Sequence, residues 1–168
     1  RNFTLVLKNT EPNRLTIDRN NVHLVSNKKV PRVLMTDYAN TLQLQAALGL
    51  LEVVKGGYAS LYGQVSIDRL LVADDVDVYI NSAGYIKEAE VLERDGSISL
   101  GRNVRIGTAT VPPVGSYEDY FSFAGNIKDV ISKVTVPGSD DNLFHDVIEL
   151  PSREELQRQE LFDKLVEK

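Results

Sequence analysis

The 168-residue sequence contains no cysteine and no tryptophan, and it has only two histidines. Without cysteine the chain has no disulfide bond, no thiolate metal ligand and no cysteine nucleophile, and its redox compartment stays open. The histidines, His23 and His145, stand apart in the sequence, whereas a metal site needs several ligands close together. We therefore expect no bound metal and no cofactor.

Long apolar runs and an excess of basic residues are also missing. No run of about 18 apolar residues occurs, so the sequence predicts no membrane-spanning helix and no membrane partner. Nineteen Lys and Arg against 24 Asp and Glu give a net charge of -5. A polyanion is repelled by this charge unless basic residues gather on one face, and Lys28, Lys29 and Arg32 are the densest basic group. We do not expect nucleic acid as a partner.

Catalytic motifs are absent as well. No serine lies in a Gly-x-Ser-x-Gly turn, and no glycine-rich loop has the spacing of a phosphate cradle. Acidic residues could in principle form a carboxylate pair or a divalent-metal site, but no calcium-loop spacing supports this, and no nearby histidine divides the acid and base roles. We expect no catalytic residue and no enzyme. The acidic residues concerned are Asp74, Asp75, Asp77, Glu118, Asp119, Asp140, Asp141 and Asp146.

The first 57 residues read as a small β/α module. Phe3–Leu7 is rich in strand-forming residues, and the Asn and Pro residues that follow it are typical of a turn. Residues 22–25 form a second apolar run after another Asn-rich turn. Thr36 or Asp37 would then cap a helix in which Tyr38, Leu42 and Ala46 lie four apart, and Gly49 would end it. A short strand up to Val54 closes the module.

Residues 58–150 are expected to form a mainly antiparallel β domain. Residues 75–80 alternate charged and apolar side chains, as an edge strand does. The Asp95-Gly96 pair, between residues 91–93 and 97–100, predicts a tight hairpin, and Arg102-Asn103 predicts a second.

Residues 151–168 are expected to form a C-terminal helix, which begins at the capping box of Ser152 and Glu155. Its apolar side either folds back on its own domain or docks on a neighbouring subunit. A dense aromatic cluster at residues 117–123 also has two interpretations, since it either closes the end of a sheet or anchors an interface. The candidate interface residues are Tyr117, Tyr120, Phe121 and Phe123 of the cluster, together with Leu161, Phe162, Leu165 and Val166 of the helix.

Together these elements predict an α+β fold. The order of strands, Thr-Asp helix start, leucine-rich helix and residues 48–54 (Leu-Gly-Leu-Leu-Glu-Val-Val) resembles a small N-terminal domain of bacteriophage virion and tail-associated proteins. The resemblance covers residues 1–55 and brings no catalytic residue with it. It implies a structural or assembly role in a phage particle, as a head decoration, neck or tail component.

On this interpretation the chain is a non-catalytic virion protein that is assembled in the host cytoplasm. Its partners are copies of itself and other virion proteins, which it contacts by shape complementarity in a homo-oligomer. Two alternatives stay open. The chain could be a monomeric host-interaction or inhibitor module, or, ranked below that, a carboxylate-based hydrolase.

Overall fold

In the computed structural model of the chain, the described residues are 3–10, 12–36, 39–54, 57–81 and 83–137. Strands make up 61% of these residues and none of them is α-helical, so the α+β prediction is wrong and the fold is nearly all β. The twelve strands are β1 (Phe3–Leu7), β2 (Leu15–Ile17), β3 (Val22–Ser26), β4 (Val30–Met35), β5 (Thr41–Val53), β6 (Gly57–Val72), β7 (Val76–Ile80), β8 (Gly84–Val91), β9 (Ser97–Leu100), β10 (Val104–Thr110), β11 (Phe121–Ser122) and β12 (Ile131–Thr135).

Every strand pairing among the described residues is parallel. One run of neighbours, here named sheet A, contains β1, β3, the first part of β5, the first part of β6, β7, β9 and β11. The other run, sheet B, contains β2, β4, the second parts of β5 and β6, β8, β10 and β12. The chain therefore winds alternately through the two sheets, which is a parallel β-solenoid.

Each coil of the solenoid takes about the same length of chain. Leu42 pairs with Val22, twenty residues earlier, and with Leu61, nineteen residues later. Apolar side chains of the same kind consequently stack above one another inside the solenoid. One such ladder in sheet B runs through Val30, Leu48, Ile67, Ile86, Ile106 and Ile131. All its members are buried, and they form a core that the two sheets share.

Strands β5 and β6 pass from sheet A to sheet B without a break and pair with each other over residues 41–53 and 60–72. The module boundary that the sequence suggests near residue 57 lies between these two strands. Gly63 lies on β6 with a φ of 96°, in the left-handed region. A Cβ at this position would also collide with the carbonyl oxygen of Leu44 on the neighbouring coil, so glycine is needed there on both counts.

The predicted helix through Tyr38, Leu42 and Ala46 is wrong, because Leu42 and Ala46 lie in β5; Tyr38 is outside the described residues. Leu42, Leu44, Ala46 and Leu48 are all buried, and Gln43 and Gln45 between them face outward. Residues four apart lie on the same face of a helix, and they also lie on the same face of a strand, where every second side chain points to one side. The spacing of these residues therefore fits a strand as well as a helix. The helix-forming tendency of Leu, Ala and Gln favoured the wrong alternative.

The predicted antiparallel domain is wrong as well. Asp95-Gly96 does lie in a turn, between β8 and β9, but those strands belong to different sheets. β8 pairs with β6 and β10, while β9 pairs with β7 and β11. A tight turn only reverses the direction of the chain. In this solenoid the reversed chain enters the opposite sheet, so the two strands beside the turn do not pair with each other.

The chain between β10 and β12 carries an insertion. Ile131 lies twenty-five residues after its ladder partner Ile106, and the extra chain contains two short 3-10 turns, Tyr117–Tyr120 and Ile127–Asp129. The predicted helix of residues 151–168 lies outside the described residues, as do its four apolar candidates.

Candidate functional site

The outer surface of sheet A is distinguished by uncharged polar and aromatic side chains. Successive coils stack Thr4, His23, Gln43 and Tyr62 in one outward ladder, and Thr41, Ser60, Tyr79, Ser99 and Ser122 in the next. A third ladder holds Tyr58, Asp77 and Ser97. We name the surface formed by Tyr58, Ser60, Tyr62, Asp77, Tyr79, Ser97 and Ser99 the tyrosine face.

One ring stack and two hydrogen bonds lie at the centre of the tyrosine face. The rings of Tyr58 and Tyr79 stack with centroids 6.4 Å apart and planes inclined by 27°, although half of the Tyr58 surface is exposed (50%). The Asp77 carboxylate accepts hydrogen bonds from the Ser97 hydroxyl at 3.0 Å and from the Ser99 hydroxyl at 3.1 Å. The single carboxylate is thus held by neutral donors, and the face offers a rigid aromatic platform.

A concave groove lies beside this face, where β5 and β6 bend from sheet A into sheet B. Its volume is about 520 Å³, within the range of small-ligand sites. We name it the corner groove. It is lined by Val25, Ser26, Asn27, Lys28, Lys29, Gln45, Ala46, Ala47, Gln64, Val65, Ser66, Ala83, Gly84 and Tyr85.

Most polar groups at one end of the corner groove have partners within the chain. Lys29 pairs with the Asp68 carboxylate, and the Ser26 hydroxyl donates to the Lys28 carbonyl oxygen at 2.7 Å. Asn27 bonds to Asn9 through its amide group. In the middle of the groove, by contrast, Gln45 and Gln64 are exposed and neighbours in one ladder, and their side-chain amides make no hydrogen bond to any described residue. These amides are open to a ligand.

The four residues of the aromatic cluster, which the sequence offers as candidate interface residues, differ in their burial. Tyr120 and Phe121 are buried in the core, and the Tyr120 hydroxyl donates to the Val114 carbonyl oxygen at 2.6 Å. Phe121 pairs with Ile98 of β9 and so forms part of the last described coil of sheet A. Tyr117 and Phe123 are half-buried and contact that core from outside. Leu161, Phe162, Leu165 and Val166 lie outside the described residues.

Tyr117 begins the 3-10 turn that Ser116 caps. The Ser116 side chain accepts from the Glu118 backbone at 3.4 Å, and the Asp119 carboxylate accepts from the Ser116 backbone at 3.0 Å. Partial burial raises the pKa of Tyr117 above its ordinary value of 10.0, and the neighbouring Glu118 carboxylate raises this pKa further. A charged phenolate is disfavoured in both cases.

The predicted acidic groups are spread over several elements. Asp77 belongs to the tyrosine face, Asp74 and Asp75 occupy the turn before β7, and Asp119 serves as a cap. Asp140, Asp141 and Asp146 lie outside the described residues. Within the described ranges no cluster of three or more metal-ligating His, Asp or Glu side chains occurs, and no helix is long and apolar enough to cross a bilayer.

Fold and surface together define the class of this chain as a parallel β-solenoid with one aromatic side that carries little charge. Comparison with protein-family models, curated proteins and solved structures gave no match. Sequence reasoning missed the tyrosine face and the corner groove. The signal that could have found both is the recurrence of apolar, alternating segments every 19 or 20 residues, for example residues 22–25, 42–45 and 61–64.

Proposed function

We propose that this protein is a non-catalytic structural component that assembles with copies of itself through the tyrosine face. The observation that carries the proposal is the composition of that face. Among its described residues three are tyrosines, three are serines and only Asp77 is charged. Enrichment in aromatic residues and depletion of charge distinguish the buried centre of a protein interface from ordinary surface.

A second copy of the chain is the partner that fits this face best. The chain has a net charge of -5, so two copies repel each other unless they meet through a surface that carries little charge. The tyrosine face meets this condition, because Asp77 is its one charged residue. The hydroxyls of Ser97 and Ser99 donate hydrogen bonds to that carboxylate and so replace part of its hydration. A flat, regular sheet is also suited to a symmetric contact in which one surface meets itself.

The setting that we propose for this assembly is a bacteriophage particle, as a head decoration, neck or tail protein. This part of the proposal has its support in the sequence resemblance of residues 1–55. The leucine-rich helix that contributed to the resemblance is strand β5 in the structure, so this support consists of the order of residue types along the sequence.

The test is the native mass of the purified chain, measured by native mass spectrometry and light scattering. For the wild type we expect the mass of a dimer or a larger oligomer of the 18.7 kDa chain, and for Tyr58→Ala and Tyr79→Ala a shift towards the monomer. Each variant removes one ring of the stacked pair, and aromatic anchors contribute a large part of many interface energies. Glu90→Ala, on the outer surface of sheet B, is the matched control and should keep the wild-type mass.

A wild-type chain that stays monomeric at high concentration would contradict self-association. An oligomer that Tyr58→Ala and Tyr79→Ala leave intact would place the contact elsewhere on the solenoid. Co-sedimentation with phage particles tests the setting separately, since an oligomer that never joins a particle would contradict the virion assignment alone.

A further inference from the structure

We propose that the corner groove binds a short segment of an uncharged carbohydrate chain. The site lies outside the tyrosine face and does not depend on self-association, so it extends the proposed function to a second surface. Its floor consists of small side chains, with Ala47 and Ser66 stacked in one ladder. Away from the lysines at its rim, its polar side chains are amides and hydroxyls. The Gln45 and Gln64 amides and the Ser66 hydroxyl make no hydrogen bond to any described residue.

The amides of Gln45 and Gln64 carry the proposal. They are directly opposite each other on neighbouring coils, about 4.8 Å apart along the solenoid axis. Each amide offers both a donor and an acceptor, and the adjacent hydroxyls of a sugar ring present the same combination. A polyhydroxylated chain that runs along the axis would therefore meet one amide at each of these two coils.

The far end of the groove adds an aromatic side chain. Tyr85 continues the ladder of Ala47 and Ser66 and is half-buried. The combination of a ring surface and a hydroxyl suits a sugar, which has apolar C–H faces and polar edges. Ser66 contributes a further hydroxyl between the glutamine pair and Tyr85.

Other ligand classes fit the groove less well. An anionic polymer needs several cations, and of the two lysines at the rim Lys29 is already paired with Asp68. A peptide that adds a strand needs a free sheet edge, whereas β5 and β6 pair with each other through this bend. A purely apolar ligand would leave the two exposed amides without partners.

The test is a titration followed by nuclear magnetic resonance of the ¹⁵N-labelled chain. The probes are cellohexaose, maltohexaose and chitohexaose as neutral chains, and a galacturonate hexamer as the acidic one. We expect at least one neutral chain to shift the side-chain amide signals of Gln45 and Gln64 and the backbone signals near Ser66 and Tyr85. Gln45→Ala and Gln64→Ala should each weaken this binding about two- to tenfold.

Gln43→Ala is the matched control, because Gln43 is an outward glutamine on the same strand that does not line the groove. It should leave the affinity unchanged. Ala47→Phe, which fills the groove, should abolish binding while the backbone spectrum stays that of the folded chain.

Absence of shifts with all three neutral chains at millimolar concentration would overturn the proposal. Shifts with the galacturonate hexamer alone would do the same, since they would show an anion site at the lysine rim. Binding that survives Ala47→Phe would place the site elsewhere. None of these outcomes depends on the native mass, so the groove and the self-association stand or fall separately.

Discussion

The outer surfaces of sheets A and B differ sharply, although the same coils form both. The outer side of sheet A stacks tyrosine, serine, threonine and glutamine. On the outer side of sheet B, Arg32, Leu50, Arg69, Glu88, Thr108 and Lys133 stack in one ladder. Arg32 also donates to the Glu52 carboxylate at 2.9 Å. Sheet B thus presents mixed charge to water, and sheet A presents almost none.

This difference teaches that the fold restricts only the inward positions. Inside the solenoid both sheets carry the same kind of apolar ladder, because both must fill the shared core. Outward positions are free of that requirement. The outer surface of sheet A carries few charged side chains, although the fold does not require this. Its composition therefore indicates a binding surface.

The comparison assumes that sheets A and B share one hydrophobic core, and substitutions in the core test this assumption. Leu61→Ala truncates a buried side chain in the sheet A part of β6, and Ile67→Ala does so in the sheet B part. We expect each to lower the free energy of unfolding by about 2–5 kcal/mol, through lost burial and the cavity left behind. Urea unfolding measures this loss. Two separate transitions, or a large loss in one variant only, would show that the sheets are not one cooperative unit.

The next largest effect is expected from adding a charge to the outer surface of sheet A. Ser60→Lys places a charge in the middle of the tyrosine face, where self-association would bury it. We expect this variant to weaken the self-association about tenfold or more, because burying an unpaired charge is costly. Thr108→Lys, at an outward position of sheet B, should have no effect. Equal behaviour of the two variants in sedimentation velocity would remove the functional distinction between the faces.

The ion pair on sheet B should contribute little. Arg32 and Glu52 are 50% and 23% exposed at their side chains, and exposed pairs typically add about 0.2–1 kcal/mol. Arg32→Ala is expected to lower stability by that amount in dilute salt and by less in concentrated salt, where the attraction is screened. Urea unfolding at two salt concentrations measures the difference. A loss that does not change with salt would assign the effect to packing of the arginine side chain.

The smallest expected effect concerns Tyr117, in the insertion between β10 and β12. Its pKa is raised above 10.0 by burial and by Glu118, so the folded chain holds this proton more tightly than the unfolded chain. The resulting stabilisation is fully present below pH 10 and is lost as the pH rises through the folded pKa. Glu118→Gln should bring the pKa closer to its ordinary value in an ultraviolet titration, with Tyr117→Phe supplying the baseline. An unchanged pKa would leave burial as the whole cause.

The positions of several strands could be predicted from short segments of the sequence. The strand predicted at Phe3–Leu7 is β1, residues 22–25 lie in β3, and most of residues 75–80 lie in β7, because their alternation or β-branched content is a local property. Which strands pair with each other could not be predicted in this way. Asp95-Gly96 specifies a turn, but the strand that follows pairs with β7 from the previous coil, about twenty residues back.

The candidate surfaces were harder to foresee. Tyr58 and Tyr79 lie twenty-one residues apart and Gln45 and Gln64 nineteen apart, so neither pair forms a motif in the linear sequence. The aromatic cluster at residues 117–123 attracts attention instead, yet Tyr120 and Phe121 fill the core of the last described coil. Density along the chain is a poor guide to a surface that is assembled from one or two residues of each coil.

The sequence by itself determined that the chain has no thiol chemistry, a net negative charge, and many short segments with alternating apolar residues. Those properties are local or additive, and no knowledge of pairing is needed to state them. Only the tertiary structure decided that the segments stack in parallel, and that Tyr58 meets Tyr79 and Gln45 meets Gln64. The reason is that alternation fixes which side of a strand is apolar, while the register between distant coils depends on how the whole core is filled.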